Sequence, residues 1–213
     1  ILSIMNLDTP IEKKEGFKVF LRSNLKLLIG LCAVLVFIGA IFLWLDYNGK
    51  NKRVKISENY VKAKILLTEN NLFESLEILK NIIIKKDRTY SPLSLFLIID
   101  KNLERDKEVI LGYFDKVLSI GSLEKEDLNL LRLKKAIFIS NTSSEQDMLD
   151  LLNPIINSDS VWKSQSLKFL GDYYFSLKQF KKAEQYYSIL LEYDDDNIDI
   201  NEIKRKMKLI KNV

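Results

Sequence analysis

Histidine is absent from the 213-residue chain, and cysteine occurs once, as Cys32. Without histidine the chain can form neither a Ser-His-Asp nor a Cys-His catalytic pair, and it has no imidazole ligand for zinc. A single cysteine excludes an intrachain disulfide and a Cys-x-x-Cys motif. Only three prolines and seven glycines are present, too few for a β protein rich in turns. The composition therefore predicts long helices with few interruptions.

The charge balance and the apolar content fit an ordinary folded protein. Lysine and arginine total 33 against 29 acidic residues, which gives a net charge of +4. This mild excess does not indicate nucleic-acid binding. Apolar residues make up 47% and charged residues 29% of the chain, a balance that argues against intrinsic disorder.

Residues 27–45 form a continuous apolar stretch, LLIGLCAVLVFIGAIFLWL, without a charged side chain. A helix of this length measures about 28 Å, close to the hydrocarbon thickness of a bilayer. Trp44 and Tyr47 lie at its far end, where amphipathic rings favour the headgroup region. A signal peptide has a shorter apolar region that ends in small residues, whereas this stretch ends in Phe42-Leu43-Trp44-Leu45. We therefore predict one uncleaved transmembrane helix, in which Cys32 serves as a small hydrophobe.

Basic residues flank this stretch almost evenly, five before it and four after it. They are Lys13, Lys14, Lys18, Arg22 and Lys26, then Lys50, Lys52, Arg53 and Lys55. Under the positive-inside rule this is nearly a tie. Arg22 and Lys26 lie nearest the apolar stretch, which weakly favours a cytoplasmic N-terminus.

The segments on either side of the apolar stretch have different predicted roles. Residues 1–26 are predicted to be a cytoplasmic tail, with Met5 as an alternative start because Ile1 is not an ordinary initiator. From residue 16 to 26 the apolar side chains repeat helically, which predicts an amphipathic segment on the membrane surface. Residues 46–56 are predicted to be a linker.

The remainder of the chain contains a repeated helical pattern. Four triplets have the i, i+4, i+7 spacing of one helix face, and their starts are 35, 38 and 35 residues apart. They are Ser75-Leu79-Ile82, Ile110-Phe114-Val117, Met148-Leu152-Ile155 and Ala183-Tyr187-Leu190. A second helical segment precedes each triplet, at about 57–69, 91–102, 125–139 and 163–177. Residues 57–200 thus read as four helix-turn-helix units, followed by a basic segment, 201–213.

The last unit has the spacing of a tetratricopeptide repeat. The matching positions are Leu167, Leu170, Gly171, Tyr174, Phe180, Ala183 and Tyr187. Gly171 and Ala183 are small where two antiparallel helices would approach most closely, and Tyr174 and Tyr187 would fill the surrounding space. We therefore predict an all-α protein, in which a single N-terminal transmembrane helix precedes a tetratricopeptide-like solenoid of helical hairpins with about four units.

Two local signals are expected to interrupt these helices. Pro154 removes a backbone donor and clashes with the preceding turn, so the helix should kink or end near Asn153, with a new helix opening around Trp162. The acidic run 194–197 should stop the last helix of the fourth unit or cap the next helix. Metal binding by Asp194, Asp195 and Asp196 is the alternative for that run.

Four local motifs stand out in the second half of the chain: residues 151–156 (LLNPII), Val161-Trp162-Lys163, residues 167–174 and residues 180–183 (FKKA). Together with the layout, these motifs resemble the YfgM-type ancillary subunits of the SecYEG translocon, in particular their alphaproteobacterial relatives. The resemblance implies a bacterial inner-membrane protein with a cytoplasmic N-terminus and a periplasmic repeat domain. It also implies a role in secretion and early folding of exported proteins, with translocon subunits, periplasmic chaperones or exported clients as partners.

Catalysis is not predicted. The carboxylate pairs Glu124/Glu126 and Asp194/Asp196 are spaced i, i+2, and such residues do not face each other on a helix. No glycine-rich phosphate loop is present. We therefore expect no enzyme activity, no cofactor, no metal and no small-molecule substrate. An envelope scaffold for cell division or outer-membrane assembly is the alternative to a translocon-associated scaffold.

A solenoid of helix pairs has a concave face lined by the first helix of each unit, and mixed polar and aromatic faces suit peptide or helix recognition. The predicted face comprises Ser57, Tyr60, Lys64, Leu67 and Thr68 in the first unit and Gln165, Lys168, Asp172, Phe175 and Ser176 in the last. Ordinary surface positions without a partner are the alternative for each of them. The basic segment 201–213 is predicted to be a capping helix, with contact to anionic lipid as the alternative.

Overall fold

The computed structural model describes residues 23–193, 195 and 198–212. Within these residues all regular structure is α-helical and no strand occurs, which confirms the predicted all-α class. The helices are α1 (Leu25–Thr68), α2 (Leu72–Ile84), α3 (Tyr90–Asp100), α4 (Lys107–Leu118), α5 (Lys125–Ile139), α6 (Glu145–Ile156), α7 (Lys163–Ser176), α8 (Phe180–Leu190) and α9 (Ile200–Ile210).

The chain divides into two compact units, Ile1–Lys55 and Ile56–Val213. Among the described residues α1 is the one helix that is long and apolar enough to cross a membrane by length and composition, and its apolar window has no buried residue. Residues 46–56, assigned above to a linker, are helical. The predicted tail and amphipathic segment up to residue 22 lie outside the described residues.

In the second unit, all four predicted triplets lie on helices and face inward. They fall on α2, α4, α6 and α8, and every side chain in them is buried. The preceding segments correspond to the last part of α1 and to α3, α5 and α7. From α2 onward consecutive helices pack on one another, since an apolar stripe on a helix must be covered by its neighbours. The Ser75 hydroxyl of α2 donates to the carbonyl of Ala63 on α1.

The buried side chains form two clusters that meet at α5. The first cluster runs along the chain from Ala63 to Leu131, and the second from Leu133 to Ile203. Leu131 and Leu133 are two positions apart on α5, so their side chains leave the helix in different directions. This helix therefore contributes to both clusters.

Polar side chains fix the helix starts. Asn71 caps α2 and Asp106 caps α4, each by accepting a bond from a first-turn backbone N–H. Ser144 and Asp147 form a reciprocal capping box at α6. Asp199 caps α9 by accepting from the N–H groups of residues 201 and 202. In the acidic run before it, residues 194, 196 and 197 lie outside the described residues.

The sequence predicts that α6 kinks or ends near Asn153, but the helix does not end there. The helix continues through Pro154 to Ile156. Ile155 is buried in the second cluster, and the N–H of Asn157 donates to the carbonyl of Asn153. Burial and this bond hold the last turn although proline lacks a donor. The next helix begins at Lys163 with Trp162 at its N-cap, as predicted.

Candidate protein-binding surface

The two helices of the last hairpin approach closely at Gly171 on α7. A Cβ atom added to this glycine would be 2.5 Å from Cδ1 of Tyr187 on α8, and Tyr187 is fully buried. Ala183, one turn earlier on α8, and Tyr174 on α7 are buried in the same cluster. The four residues predicted to pack the last repeat are thus brought together, because only a residue without a side chain leaves room for the tyrosine ring.

Asp172 on α7 is the centre of a charged network. Its carboxylate accepts a bond from the Tyr187 hydroxyl at 2.6 Å and pairs with the ammonium groups of Lys168 and Lys206, each at 2.7 Å. Glu202 on α9 also pairs with both lysines. The network therefore joins α7, α8 and α9.

The pKa values in this network follow from burial and hydrogen bonding. Burial alone would raise the pKa of Asp172, but the bonds from Lys168, Lys206 and Tyr187 outweigh it and hold that pKa below its usual value. Burial, reinforced by the bond to Asp172, raises the pKa of Tyr187. The carboxylate thus stays ionised and the phenol stays protonated at neutral pH.

Helix α9 covers part of the face that the sequence assigned to partner binding. Lys168 and Asp172 make ion pairs with Lys206 and Glu202 of this helix, and Ile203 is buried in the second cluster. The basic segment 201–213 is thus largely a helix that packs on the last hairpin. Two predicted binding residues consequently contact the chain itself.

The other predicted positions of α7 are Gln165, Phe175 and Ser176. Gln165 is partly buried, and its side-chain carbonyl oxygen is buried without a hydrogen-bond partner among the described residues. Phe175 is partly buried and meets Phe180 edge-on at 5.8 Å between ring centroids. The Ser176 hydroxyl donates to the carbonyl of Tyr173.

A second charged cluster joins α6 to the last hairpin, and no motif in the sequence predicted it. Glu145, in the first turn of α6, accepts bonds from the Tyr174 hydroxyl at 2.8 Å and the Lys182 ammonium at 2.7 Å. The bond from Lys182, followed by that from Tyr174, lowers the pKa of Glu145. Tyr174 also stacks on Tyr186, with ring planes 1° apart. The two partners of Glu145 are 29 and 37 residues away from it, so no local pattern signals them.

The predicted face of the first hairpin lines an open groove. Lys64, Leu67 and Thr68 of α1 form one side, and Leu72, Leu97 and Lys101 complete a cavity of about 340 Å³. Tyr60, one turn before Lys64, packs on Tyr90 at 5.6 Å between centroids, and burial raises the pKa of Tyr60. Ser57 is partly buried. Three of the five positions predicted for this face therefore line the groove itself.

A second groove of about 410 Å³ lies among α4, α5 and α6, where the sequence predicted none. Its lining residues are Glu108, Leu111, Asp115, Lys135, Ile139, Ser143, Asp147, Asp150 and Leu151. The ammonium of Lys135 pairs with Asp115 at 2.6 Å across it.

The carboxylates considered for catalysis or metal binding have structural partners or lie outside the described residues. Glu126 accepts a bond from the Ser160 hydroxyl at 2.7 Å and another from the N–H of Val161, which ties the loop before α7 to α5. Glu124 is exposed at the N-cap of α5. Among the described residues no group of three or more acidic or cysteine side chains is placed to hold a metal ion; Asp194 and Asp196 are not among them.

Comparison with known proteins adds no relative to this picture. No family model matches the chain, and neither a curated protein nor a solved structure matches it.

Proposed function

We propose that the chain is a membrane-anchored scaffold that binds proteins through a tetratricopeptide-like solenoid of four helical hairpins. The main support is the set of buried triplets about 35 residues apart, each on the second helix of a pair. Repeats of this size stack on their neighbours and leave an extended surface for partners. The close contact of Gly171 with Tyr187 supports the tetratricopeptide assignment of the last hairpin.

The apolar part of α1 is the membrane anchor in this proposal. Its large side chains are exposed, for example Phe37, Phe42 and Leu43, which are about 70% accessible. A core helix of a soluble protein would bury such residues, whereas a lipid environment accommodates them. We place the N-terminus in the cytoplasm and the second unit in the periplasm of a bacterial inner membrane, following the flanking charges and the YfgM-type resemblance.

The proposed role is assistance to the Sec translocon and to early folding of exported proteins, without catalysis. The resemblance of residues 151–183 to the YfgM-type pattern indicates this role. The mixed polar and apolar groove at Lys64 supports protein binding. Translocon subunits, periplasmic chaperones or exported clients are the proposed partners.

Photocrosslinking in membranes tests this function. A photoreactive residue is placed at position 68, which is exposed in the groove, and at position 125 as a control on the exposed start of α5. We expect adducts with translocon subunits from position 68 and fewer from position 125. The absence of any protein adduct would contradict the scaffold, and adducts with division or outer-membrane assembly proteins alone would replace the translocon role by that alternative.

Protease protection tests the topology. Protease added outside the inner membrane should digest residues 46–213 while a cytoplasmic marker stays intact. Protection of this region would place the second unit in the cytoplasm and contradict the proposed orientation.

A further inference from the structure

The groove at the first hairpin has an apolar interior between two basic side chains. Leu67, Leu72 and Leu97 come from α1, α2 and α3, so three helices contribute aliphatic surface. Lys64 stands on α1 and Lys101 directly follows α3, and both are exposed. The volume of about 340 Å³ is near the lower end for ligand sites, so it suits one aliphatic side chain with its adjoining backbone.

Among the residues that the structure describes, the two lysines lack the carboxylate partners that neighbouring lysines have. Lys62 pairs with Glu74 at 2.9 Å, and Lys80 pairs with Glu77 and Glu104. Within the described part of the chain neither Lys64 nor Lys101 makes an ion pair. Glu69 follows Thr68 in sequence and Asp100 precedes Lys101, but neither acidic residue lines the cavity. The groove therefore presents, beside apolar surface, two lysines that make no ion pair within the described residues.

We propose that this groove binds a short acidic segment of a partner protein, in which one leucine-sized side chain is flanked by aspartate or glutamate. The inference rests on the proposed scaffold function and names the chemistry of its partner. The aliphatic side chain enters between Leu67, Leu72 and Leu97, where it is removed from water. The flanking carboxylates pair with the two lysines, which sets the orientation of the segment and accelerates its association.

Peptide binding to the full-length chain in phosphatidylcholine nanodiscs tests the proposal. The probe is a fluorescent, acetylated and amidated peptide, Ser-Gly-Glu-Asp-Leu-Glu-Asp-Gly-Ser, and binding is measured by anisotropy. One matched probe has serine in place of leucine, and another has lysine in place of all four acidic residues. The amidated end ensures that a free terminal carboxylate plays no part.

The groove variant is Lys64→Glu/Lys101→Glu, and its matched control is Lys116→Glu/Lys125→Glu. The control lysines are exposed on α4 and α5, and the change in net charge is the same. We expect the groove variant to bind the acidic probe about tenfold or more weakly and to gain binding to the lysine probe, whereas the control binds like the unmodified chain. The leucine-free probe should also lose about tenfold, and added salt should weaken the acidic probe.

Several results would overturn the assignment. The first is that both double variants weaken binding of the acidic probe equally. The second is that the leucine-free probe binds as tightly as the acidic probe, and the third is that the acidic probe does not bind. A further test adds phosphatidylglycerol to the nanodisc and omits the peptide. If this lipid protects Lys64 and Lys101 from an amine-modifying reagent, the groove binds lipid instead. If the groove variant still forms adducts with translocon subunits, the scaffold function stands and this assignment fails. If the unmodified chain forms no adducts at all, the scaffold function fails, and peptide binding still tests the groove on its own.

Discussion

The ring of Tyr187 occupies the space that a side chain at Gly171 would need. The 2.5 Å between Tyr187 Cδ1 and the position of an added Cβ is far inside van der Waals contact. The same tyrosine donates its hydroxyl to Asp172, the residue next to that glycine. A shift of the ring would therefore disturb both the helix contact and the charged network.

Gly171→Ala should destabilise the second unit by about 1–3 kcal/mol, because the added methyl group overpacks the contact with Tyr187. Thermal unfolding of the full-length chain in detergent, followed by circular dichroism, measures the change. Gly112→Ala is the matched control, since a Cβ there meets nothing within 4 Å. In the middle of α4 it should stabilise by up to about 1 kcal/mol. Equal effects of the two substitutions would contradict the close approach.

Asp172→Asn should cost about 1–3 kcal/mol, since Lys168 and Lys206 lose the carboxylate that pairs with them. The matched control is Asp115→Asn, which removes one ion pair of an exposed carboxylate and should cost less than about 1 kcal/mol. Chemical unfolding of both variants gives the comparison. If Asp115→Asn lowered the free energy of unfolding as much as Asp172→Asn, the network would contribute no more to stability than an exposed ion pair.

The same carboxylate should make stability depend on pH. Because the pKa of Asp172 is lower in the folded chain than in the unfolded chain, its contribution is present above about pH 4 and is lost as the pH falls. Unfolding of the unmodified chain and of Asp172→Asn between neutral and acidic pH should show a smaller decrease in the variant. Parallel pH curves would contradict the lowered pKa.

Lys178→Gly should stabilise the turn between α7 and α8 by about 1 kcal/mol. Lys178 has a φ of 57°, a left-handed conformation that costs an L-residue about that much and glycine little. Gln185→Gly, at an exposed position in the middle of α8, should instead destabilise by about 1 kcal/mol. The unfolding midpoint should rise for Lys178→Gly and fall for Gln185→Gly. A loss of stability in both variants would contradict the turn geometry.

Removal of residues 1–55 should release the chain from membranes and leave a folded helical domain. The second unit begins at Ile56 and contains both apolar clusters, whereas the apolar window lies in α1. Sedimentation after alkaline extraction compares the full chain with residues 56–213, and circular dichroism measures helicity. A fragment that stays with the membrane, or that is unfolded in solution, would contradict the two-unit division.

The helices and their buried faces could be predicted because their signals are local. Triplets such as Ser75-Leu79-Ile82 repeat with the helix period, and Gly171 stands out beside large residues. The cover that α9 provides for Asp172 could not be predicted, since its pair with Lys206 joins positions 34 residues apart. Pro154 does lie close to the end of its helix, but the burial of Ile155 keeps the helix intact for two more residues. Long-range pairs have no period in sequence, so only the folded chain reveals them.

The buried members of the two apolar clusters succeed one another along the chain without interleaving. All buried members of the first cluster precede Leu133, where the second cluster begins. Among the partly buried residues packed against the first cluster, Phe138 comes last in the sequence. A nascent polypeptide can therefore complete its first cluster before α6 has been synthesised, in keeping with the general tendency of N-terminal parts to fold first. Folding can then proceed in the order of synthesis, with α5 as the template on which the later helices assemble.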